Sequence, residues 1–237
     1  AAGPAGVSPG RQATAPAARA RAAGRSPAAW AALLATVAIA TAADLWSKHA
    51  AFQHVAPRPV TIRRADVLAA DNLSALIPAH QPLTVVPSAL EFTLVLNPGA
   101  VFGIGAGQRW VFVVFTLVAL AVGALLFARW TAPRDRGAHA AIGLLVAGGL
   151  GNLYDRLAFG CVRDFIHPLP GVELPFGITW PNGAAEVWPW VSNVADLWLL
   201  VGIAGLLVLT WRAPDGRDRD PSQHAPPASG AESPERH

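Results

Sequence analysis

A few ionisable side chains interrupt the long apolar runs of this sequence. Asp44 and Lys48 lie in the first run, four residues apart, so on a helix they share one face and can pair. Asn152, Asp155 and Arg156 stand near the end of a later run, at spacings that also share a face. Ionisable groups inside membrane spans are costly and usually mark function. An interfacial ion pair and a structural polar network remain alternative interpretations of the two groups.

Asp164 and Asp196 are the sharpest candidates for chemistry. Two carboxyls brought together cannot both ionise easily, so one stays protonated while the other remains a base. Such a pair can deprotonate a water and protonate the carbonyl or the leaving amide of a substrate, which hydrolyses it without a covalent intermediate. The sequence alone does not bring the two aspartates together, and two separate helix-end aspartates remain the alternative.

Other chemical motifs are weak or absent. The sequence has no His-Glu-x-x-His zinc motif, no cluster with zinc-ligand spacing and no Gly-x-Ser-x-Gly elbow. The glycine-rich segment Gly103–Gly107 lacks the strand–loop–helix context of a phosphate loop. A single cysteine excludes an internal disulfide, and we interpret Cys161 as a small packing residue.

Four long apolar runs must position the candidate residues. The chain has 237 residues, of which 53% are hydrophobic and only 14% charged, well below the quarter that is typical of soluble domains. The runs are Ala28–Ala51, Trp110–Trp130, Ala138–Leu157 and Val191–Trp211. Each has about the 20 residues that cross a hydrocarbon core. The sequence therefore predicts an all-α membrane protein with four transmembrane helices, although a signal peptide cleaved at Ala40–Ala42 is an alternative for the first run.

Arginines set the expected orientation. They are concentrated before the first run, in the short connection between the second and third runs, and after the fourth run. By the positive-inside rule, both termini are predicted to be cytoplasmic. The two long connections, Phe52–Arg109 and Ala158–Trp190, then lie outside. In this topology all the candidate ionisable residues gather near the extracytoplasmic face.

The rest of the chain divides into tails and one small sheet. Residues 1–27 and 212–237 are rich in Ala, Pro and Gly or in polar residues, and we expect disordered cytoplasmic tails around a membrane domain at 28–211. Within the first long connection, Thr84–Val86 and Glu91–Leu96 alternate in polarity and are bounded by prolines. We expect a small extracytoplasmic β-sheet there, between the first and second transmembrane helices.

Four segments, in this order, resemble the lipoprotein signal peptidase family, also called signal peptidase II. The segments are Asp44–Lys48 (Asp-Leu-Trp-Ser-Lys), Asn97–Gly103 (Asn-Pro-Gly-Ala-Val-Phe-Gly), the glycine-rich Gly148–Arg156 continued by Gly160–Phe165, and Asn193–Asp196 (Asn-Val-Ala-Asp). The resemblance extends from Asp44 to about Gly202. The sequence departs from the family pattern at Ser192, where the family usually has an aromatic residue, and in its longer outer connections.

The resemblance implies a membrane aspartyl endopeptidase that removes the signal peptide from diacylglyceryl-modified bacterial prolipoproteins, N-terminal to the lipidated cysteine. It assigns the catalytic pair to Asp164 and Asp196. It assigns substrate-binding or supporting roles to Asp44, Lys48, Asn97, Gly99, Asn152, Asp155, Arg156 and Asn193. It implies no metal or organic cofactor, inhibition by globomycin, and a place in the bacterial inner membrane. We expect a monomer whose partners are membrane lipid and lipid-modified prolipoproteins, with no nucleic acid.

Two other functions remain open at this point. A small proton-coupled transporter would also carry ionisable residues in its spans, but transporter sites usually lie near the midplane, at broken helices. A non-enzymatic membrane scaffold would leave the Asn and Asp residues in the spans without a role.

We also expect Arg156 to pair with Asp155 or with an acid of an outer loop.

Overall fold

The computed structural model describes residues 22–99 and 109–212, and this part of the chain forms helices with one small sheet. The α-helices are α1 (Pro27–His54), α2 (Arg64–Ala69), α3 (Arg109–Trp130), α4 (Arg136–Ala158) and α5 (Val194–Arg212). The strands are β1 (Leu83–Val86), β2 (Leu90–Asn97) and β3 (Val162–Pro168). Short 3₁₀ turns lie at Ala23–Arg25, Leu73–Leu76 and Pro175–Gly177.

Three of the helices, α1, α3 and α5, are long and apolar enough to cross a membrane. The predicted third span is also a helix, α4, which packs against α1, α3 and α5. Its sequence is less apolar because glycine and polar residues occupy the positions where the neighbouring helices approach. A Cβ at Gly148, for example, would lie 2.5 Å from the carbonyl oxygen of Ala195 in α5. The glycine therefore permits the close contact between α4 and α5.

The sheet has three antiparallel strands in the order β1-β2-β3. The prediction of β1 and β2 from their alternating pattern is confirmed. The sheet also extends beyond the connection between the first two long helices, because its third strand, β3, follows α4. The first four residues of β3 are all buried, so the segment has no alternation to signal a strand. Val95 of β2 pairs with Asp164 of β3, which brings the first long connection beside a candidate catalytic residue.

Regular structure begins a few residues before the predicted membrane domain, at the 3₁₀ turn Ala23–Arg25. Ala23 is buried, and its N–H donates a 2.8 Å hydrogen bond to the carbonyl oxygen of Thr131. The indole N–H of Trp30 donates to the carbonyl oxygen of Gly24. Residues 22–27, which the sequence assigned to the first tail, pack against the end of α3. The remainder of both predicted tails, 1–21 and 213–237, lies outside the described residues.

The long connection between β3 and α5 is tied back to the sheet. His167 lies between two carboxylates, with Nδ1 2.9 Å from Glu91 of β2 and Nε2 3.3 Å from Glu186 of the connection. Ser192, the departure from the family pattern, exchanges backbone hydrogen bonds with Ile166 of β3. Backbone pairing therefore fixes this position beside the strand, whatever its side chain.

Candidate active site

Lys48 is the centre of a buried polar cluster between α1 and α4. Its ammonium group donates to Asp44 Oδ2 at 2.9 Å and to Asn152 Oδ1 at 3.0 Å, and it lies 3.5 Å from Asp155 Oδ2. The other oxygen of Asp44 accepts the backbone N–H of Ala195 at the start of α5. Lys48, Asp44 and Asp155 are each 0% exposed. The predicted pairing of Asp44 with Lys48 is confirmed, and the pair joins α1 to both α4 and α5.

Asp155 has a second cation, Arg163 of β3. The guanidinium donates to Asp155 Oδ1 at 2.8 Å, and the backbone N–H of Arg163 donates to Oδ2 at 3.0 Å. The guanidinium also stacks 4.2 Å from the centre of the Phe159 ring. Asp44, Lys48, Asp155 and Arg163 thus form a buried quartet of two acids and two bases. No role was predicted for Arg163 from the sequence, although its position directly before Asp164 in Gly160–Phe165 was an available signal.

Arg156 does not make the predicted ion pair. Within residues 22–99 and 109–212, no carboxylate lies within ion-pair distance of Arg156, because Asp155 is held by Lys48 and Arg163. The guanidinium instead donates to the carbonyl oxygen of Asn152 at 3.3 Å and lies 5.3 Å from the centre of the Phe112 ring.

Asn193 joins the two candidate catalytic aspartates. Its side-chain amide donates to Asp164 Oδ1 at 2.6 Å, and its backbone N–H donates to Asp196 Oδ2 at 3.2 Å. Asn193 Oδ1 in turn accepts the backbone N–H of Asp196 at 3.1 Å, which is a reciprocal cap at the start of α5. Asn152 donates to the other oxygen of Asp196 at 2.8 Å. The structure thus brings Asp164 and Asp196 to one place, from β3 and α5.

Asn97 completes the surroundings of Asp164 from the end of β2. Its side-chain amide donates to Asp164 Oδ2 at 3.1 Å. The side-chain oxygen of Asn97 accepts a hydrogen bond from the backbone N–H of Gly99 at 2.9 Å, so this turn fixes the orientation of the side-chain amide. Gly99 has a φ of 98°, a left-handed conformation that disfavours other residues. The rest of the matched segment, 100–103, lies outside the described residues.

Burial controls the acidity of Asp164, which is 2% exposed. Loss of hydration, followed by the negative charge of Asp196, raises the pKa of Asp164 from 3.8 to about 7, against the opposing hydrogen bonds from Asn193 and Asn97. Asp164 therefore keeps its proton to a higher pH than an exposed aspartate does. General acid–base hydrolysis requires a protonated carboxyl and an ionised carboxyl held at one site.

Cys161 lies close to this cluster but is chemically inert. The residue is fully buried, and its burial, together with the carboxylates of Asp155 and Asp164, raises the pKa of the thiol to about 12. The thiol therefore carries its proton at neutral pH and cannot act as a nucleophile. This agrees with its interpretation as a packing residue.

An open cavity of about 670 Å³ lies beside the strand end that carries Asn97. Its walls include Val67 and Leu68 of α2, Leu96 and Pro98 at the end of β2, and Trp110 of α3. The lining is mostly apolar. Among the described residues, no group of three or more His, Cys, Asp and Glu side chains is arranged to hold a metal ion.

Gly151 sets the distance between α4 and α1 at the cluster. A Cβ at this position would overlap Asp44 Oδ2 and lie 3.3 Å from the Ala195 Cβ. Gly151→Ala should therefore destabilise the protein by about 1–3 kcal/mol, since the tightly bonded Asp44 cannot move aside. Thermal unfolding in detergent measures the effect. Gly123→Ala is the control, because its Cβ meets only Val146 at 3.6 Å, and equal losses in the two variants would contradict the interpretation.

The chain is similar to several known proteins. The family model of signal peptidase (SPase) II matches residues 36–212. A lipoprotein signal peptidase of Desulfitobacterium hafniense is 32% identical over 140 residues, which cover 59% of this chain and 80% of the relative. One of Methylobacterium radiotolerans is 37% identical over 158 residues, covering 65% and 79%. A bacterial membrane enzyme solved by the in meso method at 2.3 Å shares the fold, with a TM-score of 0.53, 22% identity and coverage of 79% and 93%.

The family model covers the helices and strands that carry every candidate residue, from Asp44 to Asp196. The transporter and scaffold interpretations are therefore set aside. The chain belongs to the signal peptidase II family, the membrane proteases that cleave signal peptides from prolipoproteins.

Proposed function

We propose that this protein hydrolyses the peptide bond on the N-terminal side of the diacylglyceryl-modified cysteine of a prolipoprotein, with Asp164 and Asp196 as the catalytic pair. The observation that carries the proposal is the position of Asn193. Its side chain donates to Asp164 and its backbone N–H to Asp196, so a single residue holds the two carboxyls at one place. A shared proton between two such groups is the requirement of aspartyl hydrolysis.

The proposed mechanism starts with Asp164 protonated and Asp196 ionised. Asp196 takes a proton from a water as the water oxygen attacks the scissile carbonyl carbon, and Asp164 gives its proton to the carbonyl oxygen. In the second step Asp196 returns its proton to the leaving nitrogen, and a hydroxyl of the tetrahedral carbon reprotonates Asp164 as the carbon–nitrogen bond breaks. Protons and charges balance over the cycle, and both carboxyls end in their starting states.

The other predicted site residues act on this pair in the proposal. Asn97 donates a hydrogen bond to Asp164 Oδ2, and Asn152 donates one to Asp196 Oδ1. The buried quartet holds α1, α4 and β3 at fixed positions. Asn152 links the quartet to the catalytic pair, because it accepts a hydrogen bond from Lys48 and donates one to Asp196. The apolar cavity beside Asn97 is the proposed place for the region of the substrate next to its lipid.

We place α1, α3, α4 and α5 across the bacterial inner membrane as four spans, with both termini in the cytoplasm and the catalytic pair near the extracytoplasmic face. The concentration of arginines at one end of the helices supports this orientation. The polar cluster lies toward the opposite end, at the C-terminal parts of α1 and α4 and the start of α5. A lipid-anchored substrate presents its scissile bond at that depth.

The test is the reaction itself. The purified chain in detergent is incubated with a diacylglyceryl-modified prolipoprotein and, in parallel, with the same prolipoprotein before lipid modification. We expect release of the signal peptide only from the modified substrate. Equal cleavage of both substrates would remove the proposed lipid specificity, and cleavage of neither would overturn the proposed function.

The pKa of Asp164 also predicts a pH dependence. Since the pKa is raised to about 7, the acid form is lost as the pH rises through 7, and turnover should fall on the alkaline side. The contribution of Asp164 to the free energy of unfolding should also fall as the pH rises. The folded state binds the Asp164 proton more tightly than the unfolded state, so this contribution is complete below pH 3.8 and is lost as the pH rises through about 7.

The comparison with Asp164→Asn isolates this titration from all others. The melting temperature of the wild type, relative to that of the variant, should decrease between about pH 4 and pH 7.5. Thermal unfolding across this range in one detergent supplies the measurement. A difference that stays constant with pH would show that Asp164 does not titrate there.

A further inference from the structure

The pairing of β2 with β3 slips by one residue immediately beside Asp164. Val95 pairs with Asp164, and the pairing resumes at Phe92 with a shifted register. Residues 93 and 94 of β2 therefore stand opposite the single residue Phe165 of β3. This arrangement is a β-bulge, which bends a strand and re-aims its side chains, and bulges are common next to active sites. What holds the bulge in place therefore bears on the position of Asp164.

His80 supplies the hydrogen bond that strand pairing does not supply at the bulge. β1 begins at Leu83, which pairs with Phe92, so no residue of β1 lies opposite Leu94. The backbone N–H of Leu94 instead donates to His80 Nε2 at 3.0 Å. Thr93 Oγ1 lies 3.4 Å from the same nitrogen. The imidazole of His80 thus takes the place beside the bulge that a longer β1 would occupy.

The roles of the two imidazole nitrogens follow from their partners. Nδ1 of His80 lies 3.0 Å from the carbonyl oxygen of Pro78, and a carbonyl only accepts, so Nδ1 carries a proton. Nε2 faces the N–H of Leu94, so it is unprotonated and accepts. Only a neutral ring satisfies both contacts. A proton added to Nε2 would remove the acceptor and set one N–H against another.

The surroundings of His80 contain no second charge that would share this role. An open groove of about 270 Å³ lies beside the ring. Among the described residues, its lining consists of Ser74, residues 77–80 and residues 94–96, and His80 is the only ionisable member. The hold of the ring on β2 therefore depends on the protonation of His80 itself.

The stretch of β2 that follows the bulge carries two contacts of Asp164. Val95 is its strand partner, and the side-chain amide of Asn97 donates to Asp164 Oδ2 at 3.1 Å. Leu94 is 4% exposed, so its N–H would lose free energy if it were left without an acceptor. A bulge that moved to relieve this loss would shift both Val95 and Asn97 relative to Asp164.

We propose that His80 is a positioning residue for the hydrolysis: its neutral imidazole fixes the bulge at residues 93 and 94, and the bulge fixes Asn97 and the strand register at Asp164. His80 contacts neither member of the catalytic pair and acts only through β2. This inference rests on the proposed function. Because histidine changes its charge between about pH 5 and 8, acidification in that range releases the bulge and lowers turnover.

Substitutions at His80 separate the hydrogen bond from the bulk of the ring. His80→Phe keeps a planar ring without an acceptor, so kcat for the lipid-modified prolipoprotein should fall about tenfold or more through misplacement of the catalytic pair. KM should stay within about twofold, because the chemical step and not substrate binding is affected. His80→Gln keeps a side-chain oxygen that can accept from Leu94, so most of the turnover should return. His54→Phe, at the exposed end of α1, is the matched control and should leave kcat unchanged.

The inference is overturned by equal kcat in the wild type and His80→Phe, or by a loss in His80→Gln as large as that in His80→Phe. A pH series adds a readout that a general loss of structure does not produce. The ratio of wild-type to His80→Gln turnover should decrease as the pH falls from about 7.5 to 5.5, because only the wild-type ring gains a proton there. The other six of the seven histidines are present in both proteins and cancel in the ratio. A constant ratio contradicts the inference.

Nitrogen-15 NMR of the histidine-labelled full chain in detergent observes the ring directly. At about pH 7.5, in the upper part of the range where histidines titrate, Nδ1 of His80 should carry a proton and Nε2 none. The signals are assigned by their absence from His80→Gln. A protonated Nε2 at this pH overturns the inference, and if His80→Phe does not fold, the spectrum and the pH series decide. The spectrum requires no turnover, so a wild type that cleaves no substrate refutes the proposed function separately.

Discussion

Asp164→Asn and Asp196→Asn should each reduce the turnover of a lipid-modified prolipoprotein by at least about 10²- to 10⁴-fold, the contribution that general acid–base catalysis typically makes. Asparagine has nearly the size of aspartate but neither accepts nor releases the proton. Asp164 already accepts hydrogen bonds from Asn193 and Asn97, which hold the side chain in place. We therefore expect both variants to remain folded and inserted.

The measurement is turnover by each purified variant, with thermal unfolding followed in the same samples. Asp66→Asn is the matched control, because Asp66 is an exposed acid of α2 outside the cluster. Near-normal turnover in either variant of the catalytic pair would show that the substituted aspartate is not catalytic. Asp155 is the next candidate, although its oxygens are held by Arg163 and Lys48. A variant that loses both turnover and folding is replaced by Asp→Glu at the same position, which keeps the charge and displaces it.

Lys48→Met should be the most destabilising single substitution in the cluster. It removes one base from the buried quartet and leaves Asp44 and Asp155 with Arg163 alone. Removing one partner of a buried ion pair typically costs about 3–5 kcal/mol, because the remaining charge stays buried without compensation. We expect a large loss of folded yield and a lower melting temperature.

A second substitution tests whether charge balance is the cause. Asp44→Asn in the Lys48→Met background restores equal numbers of acids and bases, and the new amide side chain keeps an oxygen for the N–H of Ala195. The double variant should be more stable than the single one. Arg129→Met, which removes an exposed cation at the end of α3, should change stability little. If the double variant is as unstable as the sum of the two single variants, lost packing and not unbalanced charge explains the effect.

Lys48 also offers a direct measure of the fold, because it is the only lysine of the sequence. Apart from the chain terminus, it is the only amine that an amine-selective reagent can modify. In the folded protein Lys48 is fully buried and hydrogen-bonded, so its modification should be slow until the protein unfolds. The rate of modification therefore reports the opening of the cluster.

Local patterns predicted the helices and the first two strands, because each depends on residues close in sequence. Length and apolar composition identified the long helices, and alternation between prolines identified β1 and β2. The i, i+4 spacing predicted the pairing of Asp44 with Lys48. The spacing Asn193–Asp196 is also local, and the reciprocal cap that it forms is a motif that the sequence alone could have suggested.

Pairings between distant segments were not predictable in the same way. Asp155 pairs with Arg163 and not with Arg156, because the turn after α4 brings β3 back against the helix end. That turn leads into a strand without alternating polarity, so neither the strand nor the pairing had a signal in the local pattern. The approach of Asp164 to Asp196 was supplied by the family resemblance and not by spacing, because it depends on the antiparallel pairing of β3 with β2 and on the position of α5.

The hydrogen bond from Lys48 to Asn152 spans 104 positions of the sequence, and this has a consequence for biosynthesis. At about 5–20 residues per second, α1 leaves the ribosome roughly 5–20 s before its partner in α4 has been made. During this interval a lone ammonium or carboxylate in the first helix would oppose its insertion into lipid. Because Asp44 and Lys48 are one helical turn apart, they can neutralise each other within α1 alone. In the proposed topology, the pair therefore allows the first helix to enter the bilayer without net charge before the rest of the chain has been made.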